Sequence, residues 1–401
     1  MNRKFNEKRQ KGQFFTKNSD YILQGLEKFI KNKQISDPFA GGSDLISWAK
    51  RHGAKQVIGY EIDYKLIDNK VIFANDSINN LRQYEFIITN PPYLHKNKAS
   101  IDTKEKYFTG KNRHFEDLYQ ISINAIMNSD EGILIVPLNF LSADNSRKIR
   151  NIFFDKFEIV KLNIFHEQVF EDTTYNVISF YYRKRKSRDD ENLIFRKIIP
   201  EKIEDEIIIK RNHAWKMGGE FASRINKVKN NLGIYRLTED MLIPGDEKVI
   251  LAFNNISDKD KREYNLNGKF VELLNNNIIL LRAIDSKNNK KIQLEDIRNY
   301  GVKALVGKQT SRNMAYLIFG KPISVRQQKE AITLFNKKLN NIRRDEGSFF
   351  LTNFRDNNRK RISFEFVYKM INYICEKEFN TSENLARKIQ QTTFLDSPTY
   401  L

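Results

Sequence analysis

The feature that most constrains the fold is a short apolar run that two consecutive prolines bring to an end. Residues 86–90 are Phe-Ile-Ile-Thr-Asn, and Pro91, Pro92 and Tyr93 follow. An apolar, β-branched run of this length is typical of a buried strand in a parallel sheet, and a proline cannot continue the ladder because it has no N–H. The strand must therefore end at Asn90, which the following proline holds extended.

The residues after this strand are suited to bind a planar ring that carries an amine. In an open α/β sheet, ligands bind at the carboxyl ends of the strands. The Asn90 amide oxygen and the Pro91 carbonyl oxygen accept hydrogen bonds, and the Tyr93 ring is suited to the face of a planar base. The same tetrapeptide also occurs as a plain strand-ending turn, so its meaning depends on whether the surrounding chain supplies a cofactor site.

Three strand ends upstream carry acidic side chains, which favours such a site. Asp37 precedes the turn 38–43, Pro-Phe-Ala-Gly-Gly-Ser; Glu61 ends the strand that begins at Gln56; and Asp76 follows the strand 70–74. Glycines in a strand-to-helix turn let the backbone approach a ligand closely, and an acid at the end of the second strand accepts hydrogen bonds from ribose hydroxyls. The turn lacks the dinucleotide and phosphate-loop patterns, so a phosphate is not the expected ligand.

Strands and helices alternate through most of the first half of the chain. Before the first strand, apolar residues at helical spacing predict a helix that contains Ile22, Leu26 and Ile30, and residues 94–113, which are basic and lack periodicity, are expected to form a mobile loop. The segments that follow are predicted as a helix (115–128), a strand (132–137), a helix (144–154) and two strands (158–165 and 175–182). This order predicts an α/β fold with a doubly wound, mixed but mostly parallel sheet.

A run of basic residues at 183–188 is expected to mark a domain boundary, with domains at 1–184 and 185–401. The first segment carries 28 basic and 22 acidic residues, net +6, and the second carries 41 and 28, net +13. Strands are predicted at 192–198, 248–253, 278–284 and 314–319, with helices at the end of the chain. The basic stretches 308–313 and 353–361 are expected either to contact phosphates and base edges or to form a solvated surface.

The composition narrows the possible partners. With 69 basic and 50 acidic residues, a net charge of +19, the chain favours a polyanionic partner such as nucleic acid. The single cysteine, Cys375, excludes an internal disulfide and a cysteine-based zinc site, and its place in an amphipathic helix predicted at 366–376 indicates core packing. No apolar run has the length of a membrane span, and we expect a cytoplasmic protein without a metal site.

The order of these motifs resembles S-adenosylmethionine-dependent DNA methyltransferases that act on exocyclic amines. It is most similar to the gamma class of N6-adenine methyltransferases from restriction-modification systems, in which a Rossmann-like catalytic domain precedes the target-recognition domain. The resemblance covers residues 10–184. It rests on the residues 12–16 (Gly-Gln-Phe-Phe-Thr), 37–41 (Asp-Pro-Phe-Ala-Gly), 60–63 (Tyr-Glu-Ile-Asp), 75–76 (Asn-Asp), 90–93 (Asn-Pro-Pro-Tyr) and 117–119 (Asp-Leu-Tyr).

The resemblance implies a cofactor site for S-adenosylmethionine. Thr16 would contact the methionine end, Glu61, with Ile62 beside it, would bind the ribose hydroxyls, and Asp76 would bind the adenine amine. The methionine and sugar region would be lined by Asp37, Phe39, Ala40 and Gly41. Two departures affect this site: the glycine turn is Gly-Gly-Ser where the family commonly has Gly-x-Gly, and Lys17 stands where a proline often follows the threonine.

The resemblance also implies the substrate site. Asn90 and the Pro91 carbonyl would hold the target amine, and Tyr93 would stack on the target base. A later aromatic residue of the family falls on Tyr182, with Phe180 as a rival position. Cytosine C5 chemistry would need a cysteine nucleophile, and Asn at the first motif position favours adenine, because relatives acting on cytosine N4 more often carry serine.

The expected function is therefore methyl transfer from S-adenosylmethionine to the N6 amine of a flipped-out adenine in double-stranded DNA. The chain would act as a monomer on DNA, with a separate cognate endonuclease for the same site as a further candidate partner. Two alternatives stay open on the sequence. One is an RNA adenine or another exocyclic amine as substrate, and the other is a methyltransferase-like module that binds nucleic acid without activity.

Overall fold

The structure, a computed structural model, divides into two compact units. It describes residues 16–170, 175–187, 191–286, 291–345, 348–353 and 359–379. The first unit comprises Met1–Gly219 and Phe349–Arg359, and the second comprises Glu220–Ser348 and Lys360–Leu401. None of the helices in these described ranges has the length and hydropathy that a membrane span requires.

A nine-stranded sheet forms the centre of the first unit. Its strands are β1 (Gln34–Asp37), β2 (Gln56–Glu61), β3 (Ile72–Ala74), β4 (Tyr84–Thr89), β5 (Ser129–Pro137), β6 (Phe157–Phe165), β7 (Val177–Lys184), β8 (Glu191–Ile199) and β9 (Ile203–Lys210). The strand order is β3-β2-β1-β4-β5-β7-β6-β8-β9. The first five strands pair in parallel, β7 is antiparallel to both β5 and β6, and β8 is parallel to β6. The predicted mixed, mostly parallel sheet is confirmed.

The strand order reverses beside β1. From β1 the chain moves outward to β2 and β3 and then returns to the other side of β1 with β4. Such a reversal leaves a crevice at the carboxyl ends of the two central strands, where ligands bind in open α/β sheets. The prolines that end β4 therefore lie at the most favourable place in this sheet for a ligand.

The central strand β4 is apolar because both of its faces are covered. Phe86, Ile87 and Ile88 are at most 1% exposed. The helices of this unit are α1 (Ser19–Ile22), α2 (Asp44–Arg51), α3 (Ile101–Tyr107), α4 (Leu118–Ala125), α5 (Asn139–Ser142) and α6 (Arg147–Lys156), and a short strand β17 (Thr352–Asn353) also belongs to it. Burial of these apolar side chains is the main stabilising contribution, at about 25 cal/mol for each Å² removed from water.

Two predictions of local structure, one helix and one loop, differ from the structure. The helix predicted around residues 22–30 is interrupted after α1, because Gly25 takes a φ of 76°, a left-handed conformation that ends the helix. Its apolar residues are nevertheless buried, with Ile22, Leu26 and Ile30 at 0% exposure. The predicted mobile loop 94–113 contains α3, whose N-cap is the side chain of Ser100.

The structure divides the chain at a later position than the boundary predicted after Lys184. Arg183 and Lys184 belong to β7 and form ion pairs within the same sheet, with Glu158 at 2.7 Å and with Asp130. The sheet continues through β8 and β9, and the first unit extends to Gly219. The run 183–188 resembles a linker in sequence because a basic strand end and a solvated linker can have the same composition.

The second unit contains two smaller sheets. One has the order β10-β16-β13-β14 and the other β12-β11-β15. The strands are β10 (Ile234–Arg236), β11 (Pro244–Phe253), β12 (Lys261–Leu266), β13 (Ile279–Arg282), β14 (Gln293–Asp296), β15 (Ala304–Val306), β16 (Met314–Phe319) and β18 (Lys360–Arg361). The helices are α7 (Gly219–Asn226), which begins at the boundary, α8 (Gly268–Asn275), α9 (Val325–Asp345) and α10 (Phe364–Ile374).

Cys375 lies directly after α10, at the start of a short π-helical turn, and is half-buried. Burial, together with the nearby charge of Glu376, raises the pKa of its thiol to about 12. A protonated thiol is a poor nucleophile, so the structure supports the prediction that this cysteine is a packing residue.

Candidate functional site

A cavity of about 380 Å³ opens at the carboxyl ends of β1 to β4. Its wall is built by the turn after β1, the end of β2, the residues after β3 and the residues after β4, and α3 contributes a further side. These segments meet because parallel strands end at the same edge of a sheet. The volume falls within the roughly 300–1,000 Å³ of small-molecule sites. The residues used below that line it are Phe39, Gly41, Glu61, Ile62, Asp76, Asn90, Asp102, Lys106 and Tyr107.

The Glu61 carboxylate lines the cavity and is held by backbone donors. Its Oε1 accepts hydrogen bonds from the N–H groups of Ile62 and Asp63, both at 2.9 Å, and its Oε2 accepts one from Gly41 at 2.9 Å. An ionised carboxylate has about four acceptor positions. The three backbone bonds fix the side chain, and one acceptor position on Oε2 is left for a ligand hydroxyl.

The Asp76 carboxylate lies on another side of the cavity, where α3 approaches it. Lys106 lies 3.0 Å from its Oδ2, and the Tyr107 hydroxyl and the Asn79 amide also donate to it. Burial raises the pKa of Asp76, but the hydrogen bond and charge of Lys106 and the Asn79 donors outweigh it and hold the pKa below its usual range. Asp76 is therefore an ionised hydrogen-bond acceptor that forms an ion pair with Lys106.

The glycine turn after β1 is fixed by a buried acid. Asp37 is 1% exposed, and its Oδ1 accepts hydrogen bonds from the Thr89 hydroxyl at 2.6 Å and from the Phe39 N–H at 3.1 Å. Burial raises the pKa of Asp37 to about 7, against the lowering effect of these two donors. Gly41 takes a φ of 47°, so the turn needs a glycine there to bring its backbone N–H to Glu61.

Asn90 borders the cavity at the end of β4, and both ends of its side-chain amide are engaged. Its Nδ2 donates to the Thr16 hydroxyl at 3.1 Å, and its Oδ1 accepts from the Tyr93 hydroxyl. Thr16 is 3% exposed. The two partners hold the amide in one orientation, with its oxygen beside Tyr93 and its nitrogen beside Thr16. Thr16 thus contacts Asn90, although it does not line the cavity itself.

Tyr93 is buried rather than presented on the cavity wall. It is 2% exposed, its hydroxyl lies 2.8 Å from the Ile135 carbonyl oxygen, and its ring makes edge contacts with Tyr119 and Tyr175 at centroid distances of 6.3 and 6.2 Å. Burial raises its pKa well above the usual value. In this structure Tyr93 therefore positions Asn90, and its ring is packed among other aromatic rings.

The structure does not bring Tyr182 or Phe180 to the site. Tyr182 pairs with Gly132, near the start of β5, whereas the site lies beyond the end of that strand. It is 1% exposed, and its hydroxyl is 2.8 Å from Ser129 Oγ. Phe180 is 0% exposed and stacks on Phe140. Because β7 is antiparallel to β5, the start of β7 and not its end approaches residues 90–93, which we call the ledge, and Tyr175 is the aromatic residue found there.

Several site residues had no predicted role. Lys106 and Tyr107 lie on a helix of seven residues, too short for a clear periodic signal. Asp117, which the resemblance includes without a role, caps α4 and accepts from the Leu94 N–H at 3.2 Å; burial raises its pKa to about 7. Ala40 is buried beside the turn and does not line the cavity. Residues 12–15, the first part of the motif before Thr16, lie outside the described residues.

The fold and the cavity define an α/β domain with a small-molecule site at its switch point and an Asn-Pro-Pro-Tyr ledge on the rim. Residues 5–170 match the model of the family described as Eco57I restriction-modification methylase. The matched stretch is less than half of the chain and contains all the residues that line the cavity. This match confirms the resemblance of this part of the chain to restriction-modification methyltransferases. No curated protein matches the sequence.

Several solved structures are similar to the chain. The type IIL restriction-modification enzyme MmeI in complex with DNA shares 12% identity, with 88% of this chain and 64% of that chain covered and a TM-score of 0.48. The type IIG restriction endonuclease BpuSI shares 14% identity over 60% and 41%, with a TM-score of 0.40. The M protein of the type I restriction enzyme EcoKI shares 17% over 47% and 49%, with a TM-score of 0.35. The chain spans less than two-thirds of the length of each.

Proposed function

We propose that the chain is a site-specific DNA methyltransferase that transfers a methyl group from S-adenosylmethionine to the N6 amine of an adenine flipped out of the duplex. The observation that carries the proposal is the placement of Asn90. Its amide lies on the rim of the 380 Å³ cavity, held between Thr16 and Tyr93, directly after the strand at the switch point of the sheet.

The residues of the cavity fit an adenosine-containing cofactor. Glu61 offers an acceptor for a ribose hydroxyl, Asp76 offers one for an exocyclic amine, and Ile62, 49% exposed, offers an apolar surface for the face of a purine. Backbone of the Phe39–Gly41 turn lies on the same wall. S-adenosylmethionine, when bound, supplies an electrophilic methyl group. The acceptor-rich wall also explains why no phosphate-binding loop is present in the sequence.

The ledge has the two acceptors that an aromatic amine needs. The lone pair of such an amine is delocalised into the ring, so the nitrogen is a weak nucleophile. The Asn90 oxygen and the Pro91 carbonyl can each accept one N–H, which directs the lone pair away from them and meets the positive charge that develops on nitrogen. Positioning of this kind supplies on the order of 7–11 kcal/mol when the alignment is good.

The Tyr93 hydroxyl shares the Asn90 oxygen with the incoming amine. An amide oxygen has two acceptor positions, so an amine hydrogen is accepted beside the Tyr93 hydroxyl. In the structure this hydroxyl donates to the Asn90 oxygen, while the Thr16 hydroxyl accepts from the Asn90 NH2 group. Unstacking the target base from the duplex costs a few kcal/mol.

The proposal assigns target recognition to the second unit. Residues 220–401 carry 32 basic and 21 acidic residues, a net charge of +11, which suits a polyanionic partner. With the structural boundary, the catalytic part extends to Gly219 and recognition falls to Glu220 onward. We propose a monomer on double-stranded DNA and a separate endonuclease that cuts the same unmodified site, as in a restriction-modification pair.

The test is a methyl-transfer assay with radiolabelled S-adenosylmethionine on duplex DNA of mixed sequence and, in parallel, on RNA. The expected product is N6-methyladenine in DNA, identified after digestion to nucleosides. Asn90→Ala should abolish transfer, whereas Asn97→Ala, which removes an amide from the neighbouring 3-10 turn Lys96–Lys98, is the matched control. Label in RNA alone would identify the RNA alternative, and cofactor binding without label in either nucleic acid would favour the inactive module.

A further inference from the structure

A second cavity, of about 230 Å³, lies within the second unit and is lined by three arginines. They are Arg236, Arg312 and Arg361, and Gln309, Ile362, Ser363 and Phe364 complete the wall. We refer to these seven residues as the arginine cleft. Two of the arginines come from the basic stretches 308–313 and 353–361, which are far apart in the sequence, and Arg236 comes from a third segment that carries no basic run.

Sheet pairing explains why these segments converge. Arg236 is the last residue of β10, and residues 308–313 lead into β16, which pairs with both β10 and β13. Beyond the end of β13, Ile284 forms a bridge with Arg361, and the Ile362 N–H donates to the Ala283 carbonyl at 3.0 Å. One end of the four-stranded sheet therefore gathers all three arginines. The arrangement depends on backbone pairing and not on long, freely rotating side chains alone.

Arg236 holds the loop that carries Arg312. Its Nη1 donates to the Ser311 carbonyl and its Nη2 to the Gln309 carbonyl, on the two residues around Thr310. Its guanidinium also lies 5.2 Å from the centre of the Phe364 ring. A guanidinium fixed by two carbonyls and an aromatic face loses little freedom on binding a ligand. Arg236 is therefore a positioning residue of the cleft as well as one of its charges.

Arg312 and Arg361 place two like charges close together. Burial, and after it the charge of Arg312, lowers the pKa of the Arg361 guanidinium. Arg312 is exposed, and within the described ranges no carboxylate lies at ion-pair distance from it. One acid, Asp240, accepts a hydrogen bond from the Gln309 amide of the cleft wall at 3.2 Å. The cleft thus concentrates positive charge that an anionic ligand would compensate.

We propose that the arginine cleft binds a backbone phosphate of the DNA. A phosphate group offers several anionic oxygens, and guanidinium groups bind it through charge-assisted hydrogen bonds. The concave shape lets more than one arginine reach one phosphate. The proposal rests on the proposed function for the identity of the polyanion, but it does not require methyl transfer. The bound phosphate would fix the position of the duplex on the second unit without reading its sequence.

The test is equilibrium binding of a short fluorescent duplex of mixed sequence, measured without S-adenosylmethionine between about 50 and 200 mM salt. Arg312→Ala should weaken binding roughly tenfold at the lowest salt and reduce the salt slope by about 0.9, the value for one phosphate contact. Arg312→Lys should keep most of the affinity, because a phosphate accepts a point charge whereas a guanine edge needs the guanidinium fork.

The matched control is Arg298→Ala, which removes the same charge from the same unit. The Ile297 N–H donates a hydrogen bond to the carbonyl of Ile278, directly before β13. Arg298 therefore lies about 20 Å along the strand from Ile284, which is next to the cleft. An equal loss in Arg298→Ala and Arg312→Ala, or no loss in either, would overturn the proposal. A loss confined to one DNA sequence, with Arg312→Lys equally defective, would instead identify a guanine contact and also contradict it. Because catalysis is not measured, failure of the proposed methyl transfer leaves this readout intact.

Discussion

The buried Asp37 carboxyl should make the stability of the first unit depend on pH. Its pKa rises from the ordinary 3.8 to about 7, chiefly because the side chain is buried. At about 1.36 kcal/mol for each pKa unit, this difference corresponds to about 4 kcal/mol. A carboxyl whose pKa is higher in the folded state contributes stability below about pH 4 and loses it as the pH rises to about 7. Asp37→Asn removes this contribution.

The measurement is urea unfolding followed by tryptophan fluorescence between pH 4 and 7.5. Both tryptophans of the chain, Trp48 and Trp215, are buried in the first unit, so the signal reports that unit. Relative to wild type, Asp37→Asn should become more stable by about 4 kcal/mol as the pH rises across this interval. Asp102→Asn, which removes an exposed carboxyl, is the control. Parallel pH profiles for Asp37→Asn and wild type would refute the reasoning. Asp117, whose pKa burial also raises to about 7, is unchanged in both proteins and cancels.

Two further predictions test individual site residues. Glu61→Gln should weaken S-adenosylmethionine binding about tenfold or more in calorimetry, because hydrogen bonds to a charged group contribute about 1.5–3 kcal/mol. The affinity for DNA should stay unchanged. Unaltered cofactor affinity would argue against the role of Glu61 in binding the ribose. Tyr182→Phe should lower the free energy of unfolding by about 0.5–1.5 kcal/mol, because the hydrogen bond to Ser129 is lost. It should leave the methyl-transfer rate unchanged, and a large fall in kcat would indicate that Tyr182 acts at the site.

The sequence identifies those parts of the site that depend on chain order alone. A proline pair ends a strand wherever the strand lies, and the ends of parallel strands meet at one edge. Glu61, Asp76 and Asn90 could therefore be grouped without coordinates, and all three line the cavity. The mixed, mostly parallel sheet follows from the same regular alternation of strands and helices.

Strand direction is what the sequence leaves open. An apolar, aromatic strand has the same pattern in either direction, so the antiparallel pairing of β7 with β5 could not be foreseen. That pairing reverses which end of the strand reaches the ledge, and it is the reason that Tyr175 lies beside Tyr93 while Tyr182 is packed at a distance. The basic run 183–188 resembles a linker in sequence, although it connects β7 and β8, which both pair with β6 in one sheet.

The remaining features are products of tertiary structure. The bond between Tyr93 and Asn90 depends on side-chain packing against Tyr119 and Tyr175, for which spacing in the sequence gives no signal. The arginine cleft joins residues that are more than a hundred positions apart in the chain. Each of its basic stretches alone resembles a solvated surface, and only the sheet pairing shows that they share one concavity.

The most direct test of the proposed activity is to sequence DNA from cells that produce the protein, by a method that registers N6-methyladenine. We predict methylated adenine at one short recurring sequence in cells producing the wild type, and none above background in cells producing Asn90→Ala at the same level. Equal adenine methylation with both proteins, or no methylated adenine above background with the wild type, would contradict the proposal.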